Sequence, residues 1–361
     1  MKKYLKMNVF YILCIALLAV SCKSDYETHG RWTAEKAHAW YAQEGWKSGC
    51  NYIPANAINQ IEMWSSATFS PELIDQELGW AEELGFTTMR VFLSSVVWQN
   101  EPDAFKAHIG DFLTIADAHG IHPMFVFFDD CWAAESTYGV QPEPKPGVHN
   151  SGWVRDPSDA VRADTTAMFA ALEPYVKDVM TTFKNDKRIF VWDLYNEPGN
   201  SGYHAASLPL LKKVFSWARE VRPSQPVTAG LWSWGEKYQA LNDFQSTHSD
   251  VISYHCYSEP EKHLARIEEM KAFGRPVICT EYMARTKNCT FQNTLPMLRE
   301  QDVCAYNWGF VAGKTNTIFA WDTPLPDQVE PALWFHDILR QDKTPFDEEE
   351  IVVIKSVNQV Q

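Results

Sequence analysis

The sequence has few positive charges and no apolar run long enough to cross a membrane. Its 361 residues include 32 lysines and arginines against 46 aspartates and glutamates, and no basic run follows residue 6. Nucleic-acid binding depends on clustered lysine and arginine, so the net charge of −14 argues against a nucleic-acid partner. The apolar run Val9–Val20 has 12 residues, whereas a membrane-spanning helix needs about 20. The run is therefore too short to span a bilayer.

Several short motifs of enzyme and metal sites are also missing. No CxxC pair occurs, which argues against a structural zinc site, and neither GxSxG nor HExxH is present. The residues 51–54, in the first predicted strand, contain no glycine, although a phosphate-binding turn after that strand would need one. We therefore predict no cofactor and no bound metal.

Aromatic residues, in contrast, are abundant. The chain has 15 tryptophans, 14 tyrosines and 20 phenylalanines. A hydrophobic share of 45% with 22% charged residues is typical of a folded globular protein. The high tryptophan content is the feature of the composition that needs an explanation.

The N-terminus has the layout of a bacterial export signal. Three lysines among the first six residues precede the apolar run, and Ser21-Cys22 follows it. Residues 18–22 resemble a lipobox, and the resemblance implies that Cys22 is lipidated and begins the mature chain. We predict a signal peptide over 1–21, a tether and helix over 22–48, and a lipoprotein attached by its lipid alone to the outer membrane or cell surface.

Six cysteines follow the signal: Cys50, Cys131, Cys256, Cys279, Cys289 and Cys304. An exported protein could pair them in many ways, and the sequence does not choose among these. Cys289 and Cys304 are the pair to test first, because one lies in a polar loop and the other begins a strand. The alternative is that most of the six are small buried hydrophobic residues.

Short apolar runs alternate with segments of helical period along the rest of the chain, which is typical of a βα repeat. The predicted strands lie near Cys50–Ile53, Thr87–Leu93, His122–Phe128, Ile189–Tyr195, Val227–Leu231, Val251–Tyr257, Pro276–Glu281 and Cys304–Phe310. Eight units predict an α/β fold, a single-domain (β/α)8 TIM barrel over 49–345, closed by a helix at Pro331–Leu339 and followed by a tail over 346–361. A doubly wound open sheet is the alternative.

Two glutamates lie where predicted strands end. Glu197 follows the fourth strand in Asn196-Glu197-Pro198, and Glu281 ends the seventh. The fourth and seventh strands face each other across a barrel mouth, and two carboxyl groups about 5–5.5 Å apart are what retaining glycoside hydrolysis requires. The alternative is that each glutamate only forms a salt bridge with a barrel arginine such as Arg90.

These residues and their neighbours resemble glycoside hydrolase clan A, in particular the cellulase family, family 5, from about Gly49 to Leu339. The resemblance implies that Glu197 is the acid/base and Glu281 the nucleophile. It also implies that five more residues bind or orient the substrate, namely Arg90, Asn196, His255, Tyr257 and Trp308. In that role Arg90 lowers the pKa of Glu281, while an aromatic neighbour such as Tyr195 and a nearby negative charge raise that of Glu197.

Core packing is the alternative role for His255 and for Trp308. The segment after the third strand departs from the family pattern, because many members have a histidine where this chain has Asp129-Asp130. We predict that Asp129 accepts a hydrogen bond from the sugar, with a solvated acidic loop as the alternative. No histidine or glutamate accompanies the aspartates at ligand spacing, so they do not predict a metal.

The sequence therefore predicts a retaining glycoside hydrolase that cleaves β-linked glycans of the mannan or glucan type. Its expected partner is an oligo- or polysaccharide, and the oligomeric state is left open. Seven tryptophans are expected around the mouth: Trp64, Trp98, Trp132, Trp153, Trp232, Trp234 and Trp321. Trp40, Trp80 and Trp192 are expected to pack. The alternative function is a non-catalytic glycan-binding lipoprotein, which would usually have lost one glutamate.

Overall fold

The computed structural model describes residues 30–326 and 328–359, and the predicted signal peptide and Cys22 lie outside them. Within these residues the strands are β1 (Ser48–Asn51), β2 (Thr88–Phe92), β3 (Met124–Val126), β4 (Val191–Asp193), β5 (Val227–Thr228), β6 (Ile252–His255), β7 (Val277–Tyr282) and β8 (Cys304–Trp308). Paired strands are all parallel, in the order β5-β4-β3-β2-β1-β8-β7-β6.

The two ends of this order meet just beyond β5. The Leu231 backbone nitrogen donates to the Ser253 carbonyl at 2.9 Å, and the His255 nitrogen donates to the Leu231 carbonyl at 2.9 Å. The sheet therefore closes on itself, with the carboxyl ends of all strands at one mouth. The predicted single-domain TIM barrel is confirmed.

The described α-helices are α1 (Ala34–Glu44), α2 (Gln60–Trp64), α3 (Pro71–Glu83), α4 (Ser95–Asn100), α5 (Pro102–Ala118), α6 (Asp159–Arg162), α7 (Thr165–Phe183), α8 (Leu208–Val221), α9 (Gln239–His248), α10 (Pro260–Lys271), α11 (Phe291–Glu300) and α12 (Glu348–Asn358). Short 3-10 helices cover His204–Ser207, Glu236–Tyr238 and Arg285–Lys287. None of the helices in 30–326 and 328–359 is long and apolar enough to cross a membrane.

Capping residues decide where several helices begin. The sequence pattern predicts one long helix over 159–183, but the Asp164 side chain accepts hydrogen bonds from the Thr166 and Ala167 nitrogens. Asp164 therefore caps α7 and separates it from α6. Pro71 opens α3, because its fixed φ and missing N–H suit the first helical turn.

The prediction for the C-terminal region is wrong in one respect. The segment 331–339 is not helical, and its apolar side chains Trp334, Phe335 and Ile338 are buried in an irregular path. The last helix is α12, inside the segment expected to be a tail. Its Glu350 forms a buried salt bridge with Arg285, and this ion pair fixes the helix to the barrel.

The amino-terminal end of the barrel is filled with aromatic side chains. Trp40 of α1 stacks on Phe190 at a ring distance of 4.9 Å, and Trp32 and Tyr41 are buried beside Tyr306 of β8. These rings close the amino-terminal end of the barrel, and a cleft opens at the opposite, carboxyl-terminal mouth.

All six described cysteines are buried and free, so the alternative of small buried thiols holds. Cys289 lies against the Thr294 hydroxyl, whereas the thiol of Cys304 lies 3.5 Å from the Tyr41 hydroxyl. Cys289 and Cys304, the pair to test first, do not form a disulfide, because each sulfur is packed against a different element.

Candidate active site

Arg90 is the centre of the charge network in the barrel mouth. It lies on β2 and is fully buried. Its Nη1 donates to Asn51 at 2.7 Å and to Glu281 at 2.9 Å, and its Nη2 donates to Asn196 at 2.7 Å. The remaining contacts, from Nε and Nη2, go to Asp193 at 3.0 and 2.8 Å. Every N–H of the guanidinium is satisfied, which explains why this charge can be buried.

Glu281 lies on β7 and receives donors at both carboxylate oxygens. Arg90 binds Oε1, and the Tyr257 hydroxyl donates to Oε2 at 2.8 Å. Burial raises the pKa of Glu281, and the charge of Glu197 adds to this, while His255 and Arg90 oppose it. Arg90 therefore lowers the pKa of Glu281, as expected, but burial outweighs it and the net direction is upward.

Glu197 lies in a turn that follows β4. Its φ is +44°, a left-handed conformation that is strained for a glutamate. The Gly199 nitrogen donates to the buried Asp130 at 2.7 Å, so the aspartate holds this turn in place. The Oε2 atom of Glu197 accepts hydrogen bonds from the Asn200 amide and from the Cys131 thiol. Burial raises the pKa of Glu197, with the Asp130 charge acting in the same direction.

His255 connects the two glutamates. Its Nδ1 lies 2.8 Å from Glu197 Oε1 and 3.4 Å from Glu281 Oε2. Burial lowers the pKa of His255 to about 4, so the ring is neutral near pH 7. The Nε2 atom is buried and has no hydrogen-bond partner among the described residues, so the one ring proton is best placed on Nδ1, where it can bond to a carboxylate.

Asp129 lies directly behind the amide of Asn196. It accepts hydrogen bonds from Asn196 Nδ2 at 2.8 Å, from Trp153 Nε1 at 2.8 Å and from the Cys131 nitrogen at 3.0 Å. It orients Asn196 and Trp153, and a direct bond from Asp129 to the sugar stays a prediction. Asp130 is fully buried and paired with Arg162, so the alternative of a solvated acidic loop is wrong.

The two glutamates lie in a cleft of about 800 Å³. Five of the seven tryptophans expected at the mouth line it, together with Trp308: Trp132, Trp153, Trp232, Trp234 and Trp321. Trp308 contacts Phe92 and Trp153 edge to face, at 5.8 and 5.7 Å. The expectation fails for Trp64, which is buried under α5, and for Trp98, which packs on Tyr175.

The same atoms could in principle hold a cation. One donor atom each of Glu197, His255 and Glu281 lies within 4.8 Å of the others. The Arg90 guanidinium already occupies Glu281, however, and a second positive charge there would be repelled. The donor set fits proton transfer between carboxyl groups better than it fits a metal.

Several residues of the site were missed from the sequence. Asn51 and Asp193 hold Arg90, Cys131 and Asn200 contact Glu197, and His149 and His336 line the cleft. Only Asp193 gave a local signal, since a carboxylate inside an apolar strand needs a buried cation. The others lie in loops whose positions depend on the fold.

A barrel mouth with two buried carboxyl groups, an arginine bound to one of them and an aromatic cleft defines the class of TIM-barrel glycoside hydrolases, as predicted. The family model of the glycosyl hydrolases family 2, TIM barrel domain, matches residues 111–318, more than half of the chain and both glutamates. The chain belongs to this family. The predicted class is thus confirmed; the family model that matches is that of family 2, and solved structures of family 5 share the fold.

Solved structures with the same fold include proteins that act on mannose-containing glycans. An exo-β-1,4-mannosidase from Opitutaceae bacterium strain TAV5 has a TM-score of 0.59 at 19% identity, over 87% of this chain and 60% of that one. The endo-β-1,4-mannanase of Thermotoga petrophila has a TM-score of 0.57 at 15% identity, over 88% and 77%.

A variant of GH5_18 from Streptomyces cattleya, in complex with Manb1-4GlcNAc, has a TM-score of 0.60 at 12% identity, over 86% and 80%. Identities this low show the shared fold alone. The search of curated proteins found no match.

Proposed function

We propose that the protein is a retaining glycoside hydrolase that cleaves β-linked glycans, with β-mannan as the first candidate and β-glucan as the second. The observation that carries this proposal is the short distance between Glu197 and Glu281, whose facing oxygens lie within 4.8 Å. Retaining enzymes separate their carboxyl groups by about 5–5.5 Å, whereas inverting enzymes need about 6.5–9.5 Å to admit a water.

The contacts support different roles for the two glutamates. Glu281 has a cation at 2.9 Å, whereas the only basic group against Glu197 among the described residues is the neutral His255. Two carboxyl groups this close share one proton, and the proton is more stable on the group without the cation. Glu281 is then the ionised nucleophile and Glu197 is the protonated acid.

The reaction has two steps. Glu281 attacks the anomeric carbon while Glu197 gives its proton to the leaving oxygen, so a glycosyl–Glu281 ester forms and the glycosidic bond breaks. Glu197 then removes a proton from water, which attacks the same carbon and releases the sugar and Glu281. Asn196, held by Arg90 and Asp129, has its amide positioned to bond to a hydroxyl next to the reacting carbon.

The fold relatives act on β-1,4-linked mannose units according to their names, and this supports mannan as the first substrate to test. The experiment follows p-nitrophenyl β-D-mannoside and β-D-glucoside hydrolysis by NMR, with the β-anomer expected as the first product. A 2-deoxy-2-fluoroglycosyl fluoride is expected to label the peptide that contains Glu281. The α-anomer as first product would contradict a retaining mechanism, and glycan binding without hydrolysis would favour the binding protein.

Export as a lipoprotein remains part of the proposal and rests on the sequence of residues 1–22. The expected result is that radioactive palmitate labels the full chain in a bacterial host. The Cys22→Ser variant should lose the label and leave the membrane fraction. A labelled Cys22→Ser protein would refute the assignment of this cysteine.

A further inference from the structure

The thiol of Cys131 lies between the side chains of Asn196 and Glu197. Its sulfur donates a hydrogen bond to Glu197 Oε2 at 3.3 Å and accepts one from Asn196 Nδ2 at 3.6 Å. The residue is 9% exposed and lines the cleft. Cys131 therefore contacts both the proposed acid/base and the amide that precedes it in the sequence.

The segment that follows β3 fixes the position of this thiol. The Cys131 backbone nitrogen donates to the side chain of Asp129 at 3.0 Å. Asp130, the residue between them, accepts a hydrogen bond at 2.7 Å from the nitrogen of Gly199, which belongs to the turn that carries Glu197. The thiol and the glutamate are thus held by one network of hydrogen bonds. The distance between the sulfur and the carboxyl group is therefore set by the fold.

Three side chains among the described residues donate hydrogen bonds to the Glu197 carboxylate. His255 bonds to Oε1 through Nδ1, and Asn200 and Cys131 both bond to Oε2. A hydrogen bond donated to a carboxylate stabilises its charged form. In the first step of the proposed reaction Glu197 gives its proton away and becomes a carboxylate, so the three donors stabilise the state that this step produces.

A thiol suits this set of donors because its hydrogen bonds are weak. A strong donor would hold Glu197 ionised before the substrate binds, and the acid would then have no proton to give. Burial raises the pKa of the Cys131 thiol well above its usual value, and the charges of Asp129 and Glu197 act in the same direction. The thiol therefore stays neutral near pH 7 and brings no second negative charge to Glu197.

We propose that Cys131 is a positioning residue of the hydrolytic reaction, which holds the Glu197 carboxyl group in place and stabilises the carboxylate that proton transfer leaves behind. It acts through Glu197 and does not touch the reacting atoms. The proposal rests on the proposed hydrolase function and adds a residue to its proton-transfer step. The alternative role is packing, as for the other buried cysteines, and packing predicts a loss of stability alone.

The pH dependence of kcat/KM on an aryl β-glycoside separates these two roles. Cys131→Ala removes the donor, so the carboxylate form of Glu197 loses stabilisation and the basic limb of the profile should move upward by about 0.5–1 pH unit. Cys131→Ser keeps a donor that is stronger than a thiol, so its basic limb should lie at or below that of the wild type. An unmoved profile in Cys131→Ala, or the same upward shift in both variants, would overturn the proposal.

A pair of leaving groups gives a second readout. A phenyl glycoside needs a proton on its leaving oxygen, whereas a 2,4-dinitrophenyl glycoside departs without one. Cys131→Ala should therefore lower kcat/KM by about threefold to tenfold for the phenyl β-glycoside and leave that of the dinitrophenyl compound near the wild-type value. Equal losses on both substrates would overturn the proposal in favour of packing.

Cys304→Ala is the matched control for both kinetic tests. It removes a buried thiol that lies 3.5 Å from the Tyr41 hydroxyl, at the amino-terminal end of the barrel. The control should lose stability in urea but keep the wild-type pH profile and the wild-type ratio between the two substrates. A shifted profile in Cys304→Ala would show that any lost thiol changes the titration, and it would overturn the assignment to Cys131.

The reverse effect can be measured without any hydrolysis. Coupling between two titrating groups is reciprocal, so removal of the Glu197 charge must ease ionisation of the Cys131 thiol. Methyl methanethiosulfonate, a small neutral reagent, is added near pH 8 to the full wild-type protein and to Glu197→Gln, and mass spectrometry of the peptides follows each cysteine. We expect Cys131 to react about threefold faster or more in Glu197→Gln, while Cys256, which also lines the cleft, reacts equally in both.

The results distinguish this proposal from the function on which it rests. Hydrolysis by the wild type together with an unmoved profile in Cys131→Ala would overturn the role of Cys131 and leave the hydrolase function intact. Absence of hydrolysis by the wild type would overturn the proposed function itself. In that case the modification rates still decide whether the thiol and the carboxyl group are coupled, and equal Cys131 rates in wild type and Glu197→Gln would exclude the coupling.

Discussion

Two buried glutamates, Glu281 and Glu77, each accept a hydrogen bond from a tyrosine hydroxyl, but their surroundings differ. Glu281 accepts a hydrogen bond from the Tyr257 hydroxyl at 2.8 Å, and Glu77 of α3 accepts one from the Tyr52 hydroxyl at 2.8 Å. Glu77 also accepts from the nitrogen of Ala55 and so fixes the chain just after β1. It lies in the outer helical layer, away from the cleft.

The difference between them lies in the surrounding charge. Burial raises the pKa of Glu77 to about 7, and no salt bridge to it is found among the described residues. Glu281 instead faces a second carboxyl group and a buried guanidinium at the edge of an open cleft. Burial and a tyrosine partner therefore make a structural carboxyl group, and a charged partner facing substrate makes a catalytic one.

Replacing each glutamate with glutamine is expected to give the largest difference in activity between the two sites. Glu281→Gln removes the nucleophile, and we expect kcat on an aryl β-glycoside to fall by about 10⁴-fold or more. Glu77→Gln, the matched control, should keep kcat near the wild-type value because it does not touch the cleft. Steady-state kinetics on both purified variants measures this. Equal losses of kcat would show that activity falls because the fold is damaged and not because the nucleophile is missing.

Arg90→Met should affect both folding and activity. It leaves Asp193 and Glu281 as uncompensated buried carboxylates, and such losses cost about 3–5 kcal/mol in the free energy of unfolding. The control is Arg219→Met, which removes the partner of buried Asp250 outside the cleft. Urea unfolding should show both variants destabilised, with hydrolysis lost only in Arg90→Met. Hydrolysis by folded Arg90→Met would contradict its role in ionising Glu281.

The raised pKa of Glu77 predicts a pH-dependent stability. A carboxyl group with a higher pKa in the folded state stabilises the fold fully below its unfolded pKa of 4.5, and this contribution is lost as pH rises through about 7. Relative to Glu77→Gln, the wild type should lose up to about 3 kcal/mol of unfolding free energy across that window. Urea titrations at a series of pH values measure the difference, and parallel curves would refute the prediction.

The two tyrosine partners provide the smallest and most closely matched test. Tyr257→Phe removes a donor to the nucleophile, and we expect kcat/KM to fall by about tenfold with little change in stability. Tyr52→Phe leaves Glu77 with one donor fewer, so the unfolding free energy should fall by about 1–3 kcal/mol while kcat/KM stays unchanged. The reverse pattern, with activity lost in Tyr52→Phe, would show that the β1 loop controls the site.

The sequence predicted the fold class and the positions of most strands, because a parallel barrel imposes apolar runs and turns that repeat along the chain. It also brought Glu197, Glu281, Arg90 and His255 into consideration, since polar residues at the ends of apolar strands meet at one mouth. The structure places these four side chains in contact with one another.

The sequence could not assign the direction of the pKa of Glu281 or the path of residues 331–339. That pKa is raised mainly by burial, which outweighs the opposing effects of His255 and Arg90, and the burial depends on how the strands assemble. The C-terminal segment is apolar with a helical period, but its side chains are needed to cover the irregular loop after β8. Neither requirement can be predicted from the local sequence pattern.

The sequence by itself determined a βα repeat with two carboxyl groups at strand ends, because both features depend on neighbours along the chain. Only the tertiary structure decided which buried glutamate faces a cleft and which one supports a helix. It also decided that the Cys131 thiol lies against Glu197, since a contact between residues 66 positions apart follows from the packed fold. The contacts that give these residues their chemistry form only when the barrel closes.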